Sequence, residues 1–206
     1  LPGCEARPFS YGDFELAREA LQGVDALFMV SAAESPTREQ EHLTLVRAAQ
    51  AAGIQHLVYL SFAEARPDST FTLARTHAVT EEAIRRSTMK HTFVRDNFYS
   101  ELMARLADAE GVICGPAEQG RVACVAQRDA AQAVANIMAD IASGGTQHQG
   151  RTYTLTGSQS LSMEDIARIL TTCTGKPHRF HNETIAEAFA SRRAAYPETP
   201  DWEIEA

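Results

Sequence analysis

The chain has 206 residues, 44% hydrophobic and 22% charged, the balance of a globular chain with a buried core rather than a disordered or fibrous one. Its formal net charge of −8, with no Lys/Arg cluster, argues against a partner held by its phosphate backbone. No apolar run reaches membrane-spanning length, and the four cysteines form no C-x-x-C pair, so buried thiols in a reducing cytoplasm are expected.

Residues 5–11, EARPFSY, read as a strand. Asp13 follows as a helix cap, with Phe14, Ala17 and Leu21 on one face and Gly23 as the stop. DALFMVS, 25–31, is apolar until Ser31, the pattern of a strand covered on both faces. After AAESPTR comes the helix EQEHLTLVRAAQAAG, with Leu43, Leu45, Val46 and Ala49 on its apolar side and Gly53 at its end. IQHLVYLS is the next strand, ending at Ser61. A helix over roughly 77–87 follows, starting near His77, and KHTFVR is a third strand ending at Arg95.

NFYSELMARLADAEG is predicted as a helix and RVACVA as a short strand. RDAAQAVANIMADI is a helix with Asp129 and Gln132 spaced like a capping box. RTYTLTG, SMEDIARILTTCTG, PHRFH and TIAEAFA complete the pattern as strand, Ser162-capped helix, extended piece and helix. Strands and helices alternate at the spacing of right-handed crossovers, which predicts an α/β fold with a doubly wound parallel sheet. Residues 1–110 form the main unit in this reading. Residues 111–206 form a smaller α/β region, with some elements returning to the main sheet.

Ligands of open parallel sheets bind beyond the carboxyl ends of the strands, which selects Ser31, Ser61 and Arg95 with the loops after them. His77, Thr80, Glu81 and Ile84 share one helical face. Glu81, one turn from His77, is expected to favour a protonated imidazole able to give a proton to a reduced oxygen. Each residue also has a plainer reading. Ser31 and Ser61 serve as strand ends, His77 as a helix-start residue, Arg95 as an ion-pair partner of Asp96 or Glu101, and Asp129 as a cap. His178 and His181 point to opposite faces of an extended stretch, so no metal is expected there.

The segments GDFELAREALQGVDALFMVS, QEHLTLVRAAQAAGIQHLVYLS, THAVTEEAIRRS, TFVRDNFYSE and YTLTGSQSLSMEDIARIL resemble, in order, pieces of the NmrA-like proteins. These are atypical members of the short-chain dehydrogenase/reductase superfamily, and the resemblance is to their type 2 NAD(P)H:quinone oxidoreductases. It implies a Rossmann-like fold, a partial NAD(P)-binding domain over 1–110, a substrate side over 111–206, and NADPH or NADH as cofactor. Ser31 and Ala32 then match the turn along the ribose, and Ser61 the cleft floor. Phe98, Tyr99, Ser100 and Glu101 match the segment bordering the nicotinamide, although Leu102 stands where an Asn is usual. His77 stands in the place of a catalytic lysine, and Tyr99 joins it as the second catalytic candidate, stacking on a flat quinone.

The resemblance also implies a G-x-x-G-x-x-G turn between a strand and a helix. Gly111, Gly115 and Gly120, or Gly144 with Gly145, do not supply it, and Ser10 replaces the acidic residue on the adenine side. The N-terminal βαβ unit is therefore expected in roughly forty to fifty residues upstream, with a helical extension after Ala206. Three function classes follow: a quinone reductase, a non-catalytic NAD(P) sensor acting through a protein partner, and a sugar-nucleotide epimerase relative. The third is disfavoured because no Tyr-x-x-x-Lys lies on the expected helix. The expected partner is a small quinone-like molecule, with no direct nucleic-acid contact and no membrane, and a homodimer is compatible with this reading.

Overall fold

The computed structural model describes residues 3–204, so the expectations attached to Leu1 and Ala206 lie outside them. In chain order the elements are α1 (Phe14–Ala20), β1 (Ala26–Met29), α2 (Arg38–Ala52), β2 (His56–Phe62), α3 (Thr72–Arg86), β3 (Lys90–Asp96), α4 (Ser100–Met103), β4 (Val112–Gly115), α5 (Gln127–Ala142), β5 (Arg151–Thr154), α6 (Met163–Thr174), β6 (Arg179–Asn182), α7 (Ile185–Ala195) and α8 (Asp201–Ile204). They divide into two interleaved units, Leu1–Asp96 with Gln132–Thr154 and Asn97–Ala131 with Leu155–Ala206.

The apolar runs of the first unit become parallel strands in the order β1-β2-β3-β5, the α/β arrangement the alternation predicts. The register sets Met29 beside Tyr59 and Ser61 beside Arg95, so the chosen strand ends lie together along one edge of the sheet. Leu57, Tyr59, Phe93, Met29, Leu45 and Ile84 pack as its core, each almost wholly buried. Burying side chains of this size contributes about 1.5–3 kcal/mol each. The Asp13 carboxylate accepts from the Leu16 N–H at 3.0 Å and starts α1 as expected. Gly53, at φ 88°, ends α2 in the left-handed region that a side chain would strain.

Three expectations change in this unit. Residues 5–11 form no strand; side chains tether them instead, Arg7 donating to the Ala20 and Gln22 carbonyls and Tyr11 to that of Val30. β1 is not covered on both faces. It ends the strand order among the described residues, only Met29 is buried, and Val30 is 45% exposed. α3 begins at Thr72, which puts His77 in its second turn rather than at its start.

In the second unit β4 and β6 pair in parallel, a strand pair the sequence pattern does not single out at 112–115. α6 and α7 begin with capping boxes at Ser162 and Thr184, the reciprocal bonds their sequences encode. The helix expected over NFYSELMARLADAEG is one turn long. After Met103 the chain folds back, and the Asp108 carboxylate accepts from Glu110 and Val112 N–H. RVACVA makes only isolated bridges, Val122 to Leu161 and Val125 to Tyr99. Asp129 lies inside the first turn of α5 and does not cap it. The Glu101 carboxylate takes that place, accepting the Gln127 N–H at 3.1 and 3.2 Å.

Candidate functional site

The turn after β1 is braced from two helices. The Ala32 N–H donates to Nε2 of His42 at 2.8 Å, and the Ala32 carbonyl accepts from Nε of Arg38 at 3.0 Å. Just before it, the Tyr11 hydroxyl donates to the Val30 carbonyl at 2.5 Å. Arg38 and His42 are one turn apart on α2, so a single helical face grips both ends of residue 32. Ser31 and Ala32 themselves are half-buried.

The same Arg38 reaches α3. Its Nη2 lies 3.2 Å from Nε2 of His77, whose Nδ1 lies 2.8 Å from the Tyr59 hydroxyl on β2. Nδ1 of His42 lies 2.9 Å from the Thr80 hydroxyl, which donates to the Thr76 carbonyl. These contacts assign both tautomers. Arginine only donates, so Nε2 of His77 accepts and Nδ1–H donates to Tyr59. A backbone N–H likewise only donates, so Nε2 of His42 accepts and Nδ1–H donates to Thr80.

Both imidazoles are neutral. Burial, then the neighbouring Arg38, pulls His42 down to about 4 and His77 down to about 3. Burial raises the Tyr59 hydroxyl well above its ordinary value. Arg38, His42, Tyr59 and Thr80 are at most 5% exposed, and His77 is 8% exposed.

The expected pairing of Glu81 with His77 does not form. Glu81 turns toward the sheet instead, accepting from Ser61 at 2.7 Å, from Arg95 at 2.8 and 2.6 Å, and from Arg85 at 2.7 Å. Burial pushes its carboxyl up, but the bonds from Arg95, Ser61 and Arg85 outweigh this and hold it below the usual range. Arg95 is an ion-pair residue as its plainer reading has it, but its partner is Glu81, not Asp96 or Glu101. The reason is geometric. Ser61 and Arg95 sit side by side on adjacent strands and face the helix that carries Glu81.

In the second unit Phe98 and Tyr99 are half-buried, and the 98–101 segment is tied to 125–127. The Val125 N–H donates to the Phe98 carbonyl, and the Ser100 N–H to that of Val125, both at 3.0 Å. Phe98 packs against a core that includes Met103, Ile113 and Ile166. Ser100 is exposed, and Glu101 holds the start of α5.

Ala32, His77 and, through Tyr59, β2 are thus brought into one network, and Ser61 into the neighbouring Glu81 cluster. Arg38, His42, Tyr59 and Thr80 are the members that sequence reasoning misses. One signal was available: Arg38 and His42 fall on the helical stripe continued by Leu45 and Ala49. Two polar residues on a buried face must find partners there.

Residues 9–203 match the model of the NmrA-like family. Quinone oxidoreductase 2 of Escherichia coli (strain K12) is 31% identical over 195 residues, covering 93% of this chain and 66% of that protein. A (4-alkanoyl-5-oxo-2,5-dihydrofuran-3-yl)methyl phosphate reductase of Streptomyces griseus is 34% identical over 200 residues, covering 95% and 68%. The crystal structure of an NADPH-dependent quinone oxidoreductase from Escherichia coli complexed with NADPH superimposes with a TM-score of 0.86 at 30% identity, covering 98% of this chain and 70% of that one. The chain thus spans about two thirds of the length of these relatives. With its parallel α/β sheet and a match running nearly from end to end, the chain belongs to the NmrA-like family.

Proposed function

We propose that the protein containing this chain is an NAD(P)H-dependent reductase that passes hydride from a nicotinamide to a quinone or a similar small electrophile. The observation that carries the reading is the braced turn at Ala32, held at its N–H and its carbonyl beyond the carboxyl end of a parallel strand. A dinucleotide bound along such a sheet gains from a backbone that does not have to be ordered on binding. The names of the similar proteins, two quinone oxidoreductases and one reductase, support the same class.

When bound, the reduced nicotinamide supplies the hydride, and with one proton this turns a quinone into a hydroquinone. Ser31 and Ala32 offer the ribose a fixed turn, and Ser61, matched to the cleft floor, donates to Glu81, which also holds Arg95. In this reading residues 1–110 carry the cofactor side and residues 111–206 the substrate side. Phe98 and Tyr99 offer aromatic surface to the nicotinamide and the flat acceptor, Ser100 an exposed hydroxyl, and Glu101 the tie that fixes them. His77 is neutral and bonded at both nitrogens, so water supplies the proton and His77 holds Tyr59 and Arg38 in place.

The thiols are not buried as the sequence leads one to expect: Cys4, Cys114 and Cys173 are exposed and Cys124 is half-buried, and all four are free, which suits a reducing cytoplasm. No helix among the described residues is long and apolar enough to cross a membrane. A homodimer fits the reading and is checked by sedimentation.

A second reading, a non-catalytic NAD(P) sensor acting through a protein partner, draws support from the same neutral His77, which leaves this network without a protonated imidazole to act as a general acid. Steady-state oxidation of NADPH by the full-length protein with a panel of quinones separates the two. Turnover is expected; tight NADPH binding with no turnover on any quinone would transfer the case to the sensor, and no binding would remove both.

A further inference from the structure

We infer that Arg38 and His42 are positioning residues for the cofactor turn, clamping the carbonyl and the N–H of Ala32 without touching the cofactor themselves. This rests on the proposed dinucleotide-dependent reading and deepens it. In the structure Arg38 is 5% exposed, and its guanidinium is spent on the protein: Nε on Ala32, Nη1 on the Leu73 carbonyl at 3.4 Å and Nη2 on His77.

The planar fork of arginine suits this use, because it spans a carbonyl on the β1 turn and two groups on α3 at once. His42 completes the clamp from the same face, and its tautomer is fixed by Thr80. Positions 38 and 42 lie on the stripe of Leu45 and Ala49, where apolar side chains would serve a purely structural need at lower desolvation cost. The buried polar groups converge instead on one backbone residue at the end of β1. That convergence is what a preorganised binding turn requires and what a helix–sheet contact does not.

The test uses the full-length protein, with NADPH and NADH as probes. Long-range proton–nitrogen NMR spectra without cofactor should show His42 and His77 as neutral Nδ1–H tautomers. An Nε2–H tautomer at either would overturn the clamp whatever the protein's activity. Arg38→Lys keeps the charge but loses the fork, and calorimetry should find NADPH and NADH weakened by the same factor, about tenfold. The KM for NADPH should rise while the KM for the quinone stays at the wild-type value.

His42→Gln retains one acceptor and one donor and should bind within about threefold of wild type, whereas His42→Leu should lose about as much as Arg38→Lys. A larger loss for NADPH than for NADH would make Arg38 a phosphate ligand and overturn the proposal. Wild-type affinity in both Arg38→Lys and His42→Leu would also overturn it. If His42→Leu fails to fold by circular dichroism, Arg38→Lys and His42→Gln decide between them: equal weakening in the first with retention in the second supports the clamp, and any other pattern rejects it. Wild-type protein that binds neither dinucleotide, with both tautomers as expected, would sink the functional reading and the positioning role with it, a failure distinct from a wrong tautomer.

Discussion

At Glu81 one buried carboxylate accepts from Ser61, Arg85 and, through both oxygens, Arg95. Removing its charge leaves Arg95 facing the interior without a counter-ion. Glu81→Gln should therefore cost roughly 3–5 kcal/mol in urea unfolding, the range for breaking a buried pair from one side. Arg85 is two-fifths exposed and pairs at the rim, while its guanidinium also lies 4.8 Å over the Phe93 ring. Arg85→Ala should cost only about 1 kcal/mol. Equal costs for the two variants would show that the Arg95 pairing is not the dominant contact.

His42 and His77 make a second prediction at this scale. Their folded values, about 4 and about 3, lie below the ordinary 6.5, so the unfolded chain takes up protons first as the pH falls. Stability is complete above pH 6.5 and should decline below it by about 1.4 kcal/mol per pH unit for each histidine, until each protonates in the folded state. Unfolding free energies measured between pH 6.5 and about 4 should slope downward once the carboxylate contribution is subtracted with a His42→Gln, His77→Gln double variant. The same slope in that variant and in the wild type would rule out neutral, buried imidazoles.

At the scale of elements, the helix starts are set locally. Ser162 accepts from the Asp165 N–H at 3.2 Å, and the Asp165 carboxylate accepts from the Ser162 N–H at 3.1 Å, with Arg168 and Arg121 beside it. The Ser162 N–H bond, then Arg168, lowers the Asp165 carboxyl to about 2, so the cap persists through the physiological range. Ser162→Ala should destabilise the fold by about 1 kcal/mol and fray the first turn of α6 in hydrogen exchange, leaving α7 unchanged. Fraying spread evenly over both helices would mean that the box is not a local device. The caps at Asp13, Ser162 and Thr184 are legible because the bonded groups lie within three residues of each other. The truncation of α4 is not legible from its apolar pattern: after Met103 the chain turns back on the Asp108 carboxylate, which accepts from the Glu110 and Val112 N–H in place of a continued helix.

At the scale of the whole molecule, a late strand must be recruited to an early sheet. β5 pairs with β3, and Thr92 anchors the segment leading into it. The Thr92 hydroxyl donates to the His148 carbonyl at 2.7 Å and accepts from Nε2–H of His56 at 2.8 Å, wholly buried. Thr92→Val keeps the shape but strands both partners, and should cost about 1–3 kcal/mol. Amide exchange at residues 151–154 should rise more than in β2, because β2 keeps ladders to both β1 and β3 whereas β5 pairs with β3 alone among the described strands. Unchanged protection of residues 151–154 would show that the strand ladder alone holds β5.

Spacing along the chain by itself determined the alternation of strand and helix, the parallel sheet and the caps at Asp13 and Ser162, though not the one read at Asp129. The quoted segments carried the family, because they match it as strings. These are one-dimensional properties: a period, a cap three residues from its partner, a matched run. The side of the strands on which the candidate groups gather was also readable, since Ser31 follows β1 and Ser61 and Arg95 lie one residue before the ends of β2 and β3. The tertiary structure alone decided which partner each group takes. His77 and Glu81 share a helical face, yet one meets Tyr59 and Arg38 while the other meets Ser61 and Arg95. A helix presents i and i+4 side by side, but a buried charge goes to whichever neighbouring strand carries the countercharge, and that neighbour is set by packing between elements rather than by spacing within one.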